Sequence, residues 1–182
     1  MNNFKILFIA LAVIALSFSS CRKDPEDVNE EEVITTLNYI LTGGGSTVTL
    51  SFQDLDGDGG DAPTVTGDTL AANTTYAGSL ELLNEVEGED ITEEIEEEDE
   101  DHQFFFQTTG DINVAYDAED VDADGNPVGL QNILTTGAAG DGTVTVILRH
   151  EPDKGGDGVA DGDITNAGGE TDIEVTFDVT VQ

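Results

Sequence analysis

TDIEVTFDVTVQ, residues 171–182, decides the fold. Ile173, Val175, Phe177, Val179 and Val181 alternate with Glu174, Thr176, Asp178 and Thr180. A period of two puts every apolar side chain on one face, which is the signature of a half-buried β-strand. Working outward, Val48, Leu50 and Phe52 repeat the pattern, as do Ile112, Val114 and Tyr116, and Phe104 with Phe106. Val144, Val146 and Leu148 do so less cleanly, because Ile147 faces the other side. Gly43-Gly44-Gly45, Gly140-Asp141-Gly142 and Gly155-Gly156-Asp157-Gly158 supply turns between these runs. Many short strands with polar outer faces predict an all-β, antiparallel sandwich, here one domain spanning residues 33–182.

A second stretch refines the topology. Leu70, Thr74 and Tyr76 in LAANTTY resemble the tyrosine corner of fibronectin type III domains, with Ala72 in place of the proline. The resemblance implies an immunoglobulin/fibronectin III-like sandwich in which the Tyr76 ring packs inward and its hydroxyl bonds to upstream backbone.

Glu85–Asp101 breaks the β pattern, with twelve carboxylates among seventeen residues. Asp90-Ile91-Thr92-Glu93 has the form of a helix capping box, and Ile91 with Ile95 lie on one helical edge. Like charges four apart oppose a helix by about 0.2–0.5 kcal/mol each. The segment therefore reads either as a short helical insertion or as a solvated acidic loop.

Two turns carry a chemical pattern. Asp54, Asp56 and Asp58 before Gly59, and Asp120, Asp122 and Asp124 before Gly125, both read D-x-D-x-D-G. Alternate carboxylates and a glycine suit a calcium turn. The twelfth position of each is Val65 or Gln131, so the bidentate glutamate of an EF-hand is missing. Asp157, Asp161 and Asp163 make a third, looser set. Asp and Gly are also favoured in turns for backbone reasons alone. His102 and His150 are the only histidines. A zinc site would need both plus a carboxylate, and with no helical spacing between them they read as solvated strand residues. No nucleophile elbow, Walker loop or dinucleotide fingerprint is present, so the chain is not expected to be an enzyme.

The N-terminus gives an address. One lysine, an apolar run from Ile6 to Phe18 broken by Ser17, and then Ser19-Ser20-Cys21 form a secretory signal over residues 1–20. Arg22 and Lys23 close the run before it reaches the roughly 20 apolar residues of a spanning helix. Ser19-Ser20-Cys21 resembles the lipobox of bacterial lipoproteins, with Phe18 where leucine is usual. The resemblance implies acylation of Cys21, the chain's single cysteine, and several acyl chains on one residue anchor durably. Residues 21–32 then read as a lipidated flexible tether. Arg22-Lys23-Asp24-Pro25-Glu26-Asp27 resembles the surface-export signal of Bacteroidota-type lipoproteins.

Across nearly its whole length the chain resembles short acidic lipoproteins of such bacteria, sometimes labelled type 1 periplasmic binding fold proteins. The shared stretches are the lipobox, NEEEVITTL at 29–37, DLDGDG and ADGDITNAGGETD at 160–172. That label implies two α/β lobes, which the β alternation argues against. Without residues 1–20, four basic groups face 40 carboxylates, a net charge of 4 − 40 = −36. Such a surface repels nucleic acid and attracts cations. Together these features predict a non-catalytic, lipid-anchored outer-membrane lipoprotein with a structural or adhesion role and an unidentified protein or glycan partner. The alternative is a solute- or glycan-binding accessory of an uptake system, which would need exposed aromatics; Tyr39, Tyr76, Tyr116 and Phe105 are its few candidates.

Overall fold

A computed structural model describes residues 32–57 and 60–182. The chain runs through β1 (Thr36–Gly43), β2 (Ser46–Gln53), β3 (Thr64–Thr66), β4 (Asp68–Leu70), β5 (Thr75–Asn84) and β6 (Glu89–Asp90). It continues through α1 (Ile91–Glu97), β7 (His102–Thr108), β8 (Ile112–Tyr116), β9 (Gln131–Thr136), β10 (Gly140–His150) and β11 (Glu170–Val181). Two sheets pack as a sandwich. One has the order β3-β2-β1-β5-β9-β8 with β6 added beside β5; the other has the order β4-β11-β10-β7. All pairings are antiparallel except β4 with β11, which is parallel. Among the described residues no helix is long and apolar enough to cross a membrane.

The alternation in β11 translates directly into burial. Ile173, Val175, Phe177, Val179 and Val181 are buried and face Leu37, Tyr39, Leu41, Leu50, Leu80 and Leu82 of the opposite sheet within one apolar cluster. Each such side chain contributes about 1.5–3 kcal/mol through removal from water. Phe105 and Ile147 face the other way, yet they too are buried. The loop from residue 151 to 169 folds back over the outer face of β7 and β10 and covers them with Val159 and Ala167.

Glu85–Asp101 resolves as a short β-hairpin strand followed by one helix. The Asp90 side chain accepts from the Thr92 amide at the helix start, and Ile91 and Ile95 are buried. Thr92 fastens the helix to the sheet: its hydroxyl donates to the Leu82 carbonyl and accepts from the Leu82 amide. Two buried isoleucines and one anchored hydroxyl outweigh the like-charge repulsion along the helix.

At the Leu70–Tyr76 corner, Leu70 is fully buried and Tyr76 is 1% exposed. The Tyr76 hydroxyl accepts from the Ala71 amide at 2.8 Å, and the Thr74 hydroxyl donates to the Ala72 carbonyl at 3.0 Å. Asn73 between them adopts the left-handed conformation, φ 51°. Tyr76→Phe keeps the ring and strands the Ala71 amide. It should lower the unfolding free energy by about 1–2 kcal/mol in urea titrations, and an unchanged midpoint would show that the hydroxyl fixes nothing.

Candidate metal centre

The end of the sandwich where β7 begins and β10 ends gathers ionisable groups. His102 opens β7 and His150 closes β10, and the two are direct cross-strand partners. Their rings lie 4.7 Å apart between centroids. Both were expected to be solvated strand residues. Instead His102 is fully buried and His150 is 8% exposed, because two carboxylates and the adjoining loops close over them.

The first carboxylate is Asp172. β11 pairs with β10 in register up to Ile173 opposite Leu148, and then Thr171 lies opposite Arg149. Asp172 is thus the extra residue of a β-bulge, and a bulge re-aims the side chain it carries. Its carboxylate is fully buried, 4.0 Å from Nε2 of His102 and 3.9 Å from Nδ1 of His150. The second carboxylate is Glu32, in the lead into β1. Thr35 holds that lead in place, with its amide and hydroxyl donating to the Leu83 carbonyl and its own carbonyl accepting from the Asp54 amide. Glu32, read from sequence as the last tether residue, falls in the same compact unit as residues 33–182.

Glu32 Oε1 lies 2.9 Å from Nε2 of His102. On its other side the His102 ring reaches the Glu98 carbonyl through Nδ1 at 3.1 Å. A carbonyl only accepts, so Nδ1 carries a proton and Nε2 is the atom left for Glu32 and Asp172. Burial works to lower the His102 imidazole, but the Glu32 carboxylate, the Glu98 carbonyl and Asp172 together raise it above the usual histidine value. Burial likewise works to raise Glu32, and the facing imidazole outweighs it and holds the carboxyl below its usual range. One ligand atom from each of Glu32, His102, His150 and Asp172 lies within 4.8 Å of the others. Among the described residues this is the one such group of three or more.

The aspartate turns behave differently. Asp54 accepts from the Asp56 and Gly57 amides, and Asp56 accepts from the Asp61 amide; Asp58 lies outside the described residues. In the second turn Asp120 accepts from the Gly129 and Gln131 amides. Asp122 accepts from the Asp124 and Asn126 amides and, through Oδ2, from the Lys154 ammonium at 3.0 Å. The cation facing Asp122 is therefore an ammonium of the chain itself. Asp120, Asp122 and Asp124 do not bring three ligand atoms within 4.8 Å of one another. In the third set, Asp163 caps a short 3-10 turn by accepting from the Thr165 amide, while Asp157 uses its main-chain carbonyl to hold Asn166. Cys21 lies outside the described residues.

Among the described residues the candidate aromatics do not form an exposed platform. Tyr39, Tyr76 and Phe105 are in the two cores, and Tyr116 donates to the Phe104 carbonyl. A cleft of about 480 Å³ opens beside Asp172, between Ile34, Phe52, Val86 and Ile173. No family model matches the chain, and comparisons with curated proteins and with solved structures return no significant match.

Lys154 also donates to the Asp99 carbonyl, so one buried ammonium joins the loop after β10, the acidic insertion and the Asp120–Gly125 turn. Burial opposes ionisation of Asp122, but the Asn126 and Lys154 donors more than offset it and hold the carboxyl below the usual range. Lys154→Met leaves that carboxylate buried without its cation and should destabilise the domain by about 3–5 kcal/mol. Adding Asp122→Asn should recover part of the loss. A depressed carboxyl stabilises only above its unfolded value, so the difference from wild type should shrink as pH falls below about 4. A Lys154→Met variant as stable as wild type in urea at neutral pH would contradict this role.

Proposed function

We propose that the chain is a lipid-anchored cell-envelope protein whose β-sandwich serves a structural or adhesive role rather than a catalytic one. The observation that carries this reading is the apolar run Ile6–Phe18 ending in Ser19-Ser20-Cys21, with Cys21 the chain's only cysteine. A lone thiol next to a secretory signal has no disulfide partner within the chain, and acylation gives it a purpose. The charged stretch Arg22–Asp27 supports display on the outer membrane. The acidity of residues 32–182, with Arg149 and Lys154 as their only Lys or Arg, supports a protein or glycan partner and argues against nucleic acid.

A second reading, solute or glycan capture for an uptake system, is favoured by the cleft beside Asp172. Its walls offer Phe52 as the single aromatic, which is little stacking surface for a sugar. The first reading is therefore preferred.

The anchor has a direct test. In a Gram-negative host, Cys21→Ala should abolish incorporation of labelled palmitate and move the protein out of the membrane fraction. Equal labelling of wild type and variant would overturn the anchor.

A further inference from the structure

We infer that Glu32, His102, His150 and Asp172 bind one divalent transition-metal ion of the zinc class, which ties the lead into β1 to the β7–β10–β11 sheet. The donor set comes first. Two imidazoles select a borderline ion such as zinc or cobalt over calcium or magnesium, which favour all-oxygen shells. Two carboxylates complete four ligands and neutralise the ion, as a closed structural site does.

The geometry fits. In a tetrahedral shell with metal–ligand distances of about 2.0–2.1 Å, ligand atoms lie roughly 3.3 Å apart. Here Glu32 and His102 are 2.9 Å apart, and the Asp172 oxygens stand 3.9 and 4.0 Å from the two rings. All four ligand atoms lie within 4.8 Å of one another, and side-chain rotations that shorten the longer separations by up to about 1.5 Å would bring them onto one ion.

Two observations beyond proximity point to a ligand. Nε2 of His102, Nδ1 of His150 and Oε2 of Glu32 are buried and make no well-directed hydrogen bond among the described residues, which is unusual for buried polar atoms. The His102 ring is also oriented from behind by the Glu98 carbonyl. That arrangement, a carbonyl behind one nitrogen and the other nitrogen turned into the cluster, is how metal-bound histidines are commonly held. The bulge that turns Asp172 inward gives the fourth ligand.

The ligands span both sheets. Glu32 leads into β1 of one sheet, and the other three belong to the second. An ion held between them fixes the lead into β1 on the second sheet, whether or not Cys21 is acylated.

The test uses the full chain in detergent, freed of metal by a chelator. Zinc titration should give one tight site per chain, and zinc should raise the thermal midpoint well beyond calcium, magnesium or sodium chloride at matched ionic strength. Cobalt(II) should give the intense visible bands of a tetrahedral complex. In wild-type protein labelled with ¹⁵N-histidine, one equivalent of zinc should shift both imidazoles, a readout that needs no variant. His150→Gln and Glu32→Gln, at the rim of the site, should keep the apo circular dichroism spectrum. Each should weaken zinc binding by more than the roughly 10–100-fold typical of a lost outer-shell partner. Histidine signals unmoved by stoichiometric zinc would overturn the proposal. So would zinc affinity equal in wild type and variants, since the ion would then sit on the acidic surface.

Discussion

A carboxylate taken out of water must meet positive charge or hydrogen-bond donors, and the folded part of this chain has almost no positive charge to give. Arg149 and Lys154 are the only permanent cations in residues 32–182. Arg149 is committed to main-chain carbonyls at the start of β11. Each buried carboxylate has therefore found a different partner. Asp122 takes Lys154 and two amides, and the half-buried Asp120 takes two amides across the turn. Glu32 and Asp172 take the two histidines. The same scarcity appears on the surface, where cross-strand hydroxyl pairs such as Thr145–Thr176 and Thr109–Thr143 stand in positions that opposite charges often fill.

With so little attraction between charges, the sandwich depends on its apolar faces. Tyr39 and Phe106 bridge the two sheets with ring centroids 6.0 Å apart, and the β11 side chains fill the space beside them. Gly78 shows how tightly neighbouring strands of the first sheet pack. A side chain there would strike Asn132 Oδ1 and the Tyr39 ring, the two groups that share a buried hydrogen bond. The small second core under the 151–169 loop serves another purpose: it carries Lys154 to the one place where its ammonium reaches both Asp99 and Asp122.

Local signals were legible in the sequence. The alternation in residues 173–181 gave the strand and its buried face, Asp90 with Ile91 and Ile95 marked a helix start, and Leu70–Tyr76 marked the corner. The alternations Leu37-Tyr39-Leu41 and Tyr76-Leu80-Leu82 were equally readable and mark the central strands β1 and β5. The histidine cluster was not legible, for a physical reason. His102 and His150 meet only because β7 and β10 pair in one particular register, and Asp172 joins them only because β11 bulges between Thr171 and Ile173. Pairing register and bulges are set by contacts far apart in sequence, so no local spacing reports them. The one available clue was that the only two histidines sit at the polar ends of apolar runs. The D-x-D-x-D-G spacing has a second reading, since in both turns the aspartates accept from nearby backbone amides, which short acidic side chains do in turns generally.

The central claim is that the excess negative charge at the end of the sandwich is closed by a metal held through both histidines. X-ray absorption at the zinc edge of the zinc-loaded full chain addresses it most directly. The account predicts a first shell of four nitrogen and oxygen atoms at about 2.0–2.1 Å, with the outer-shell scattering of two imidazole rings. A shell of oxygen atoms alone, with no imidazole scattering, would contradict it.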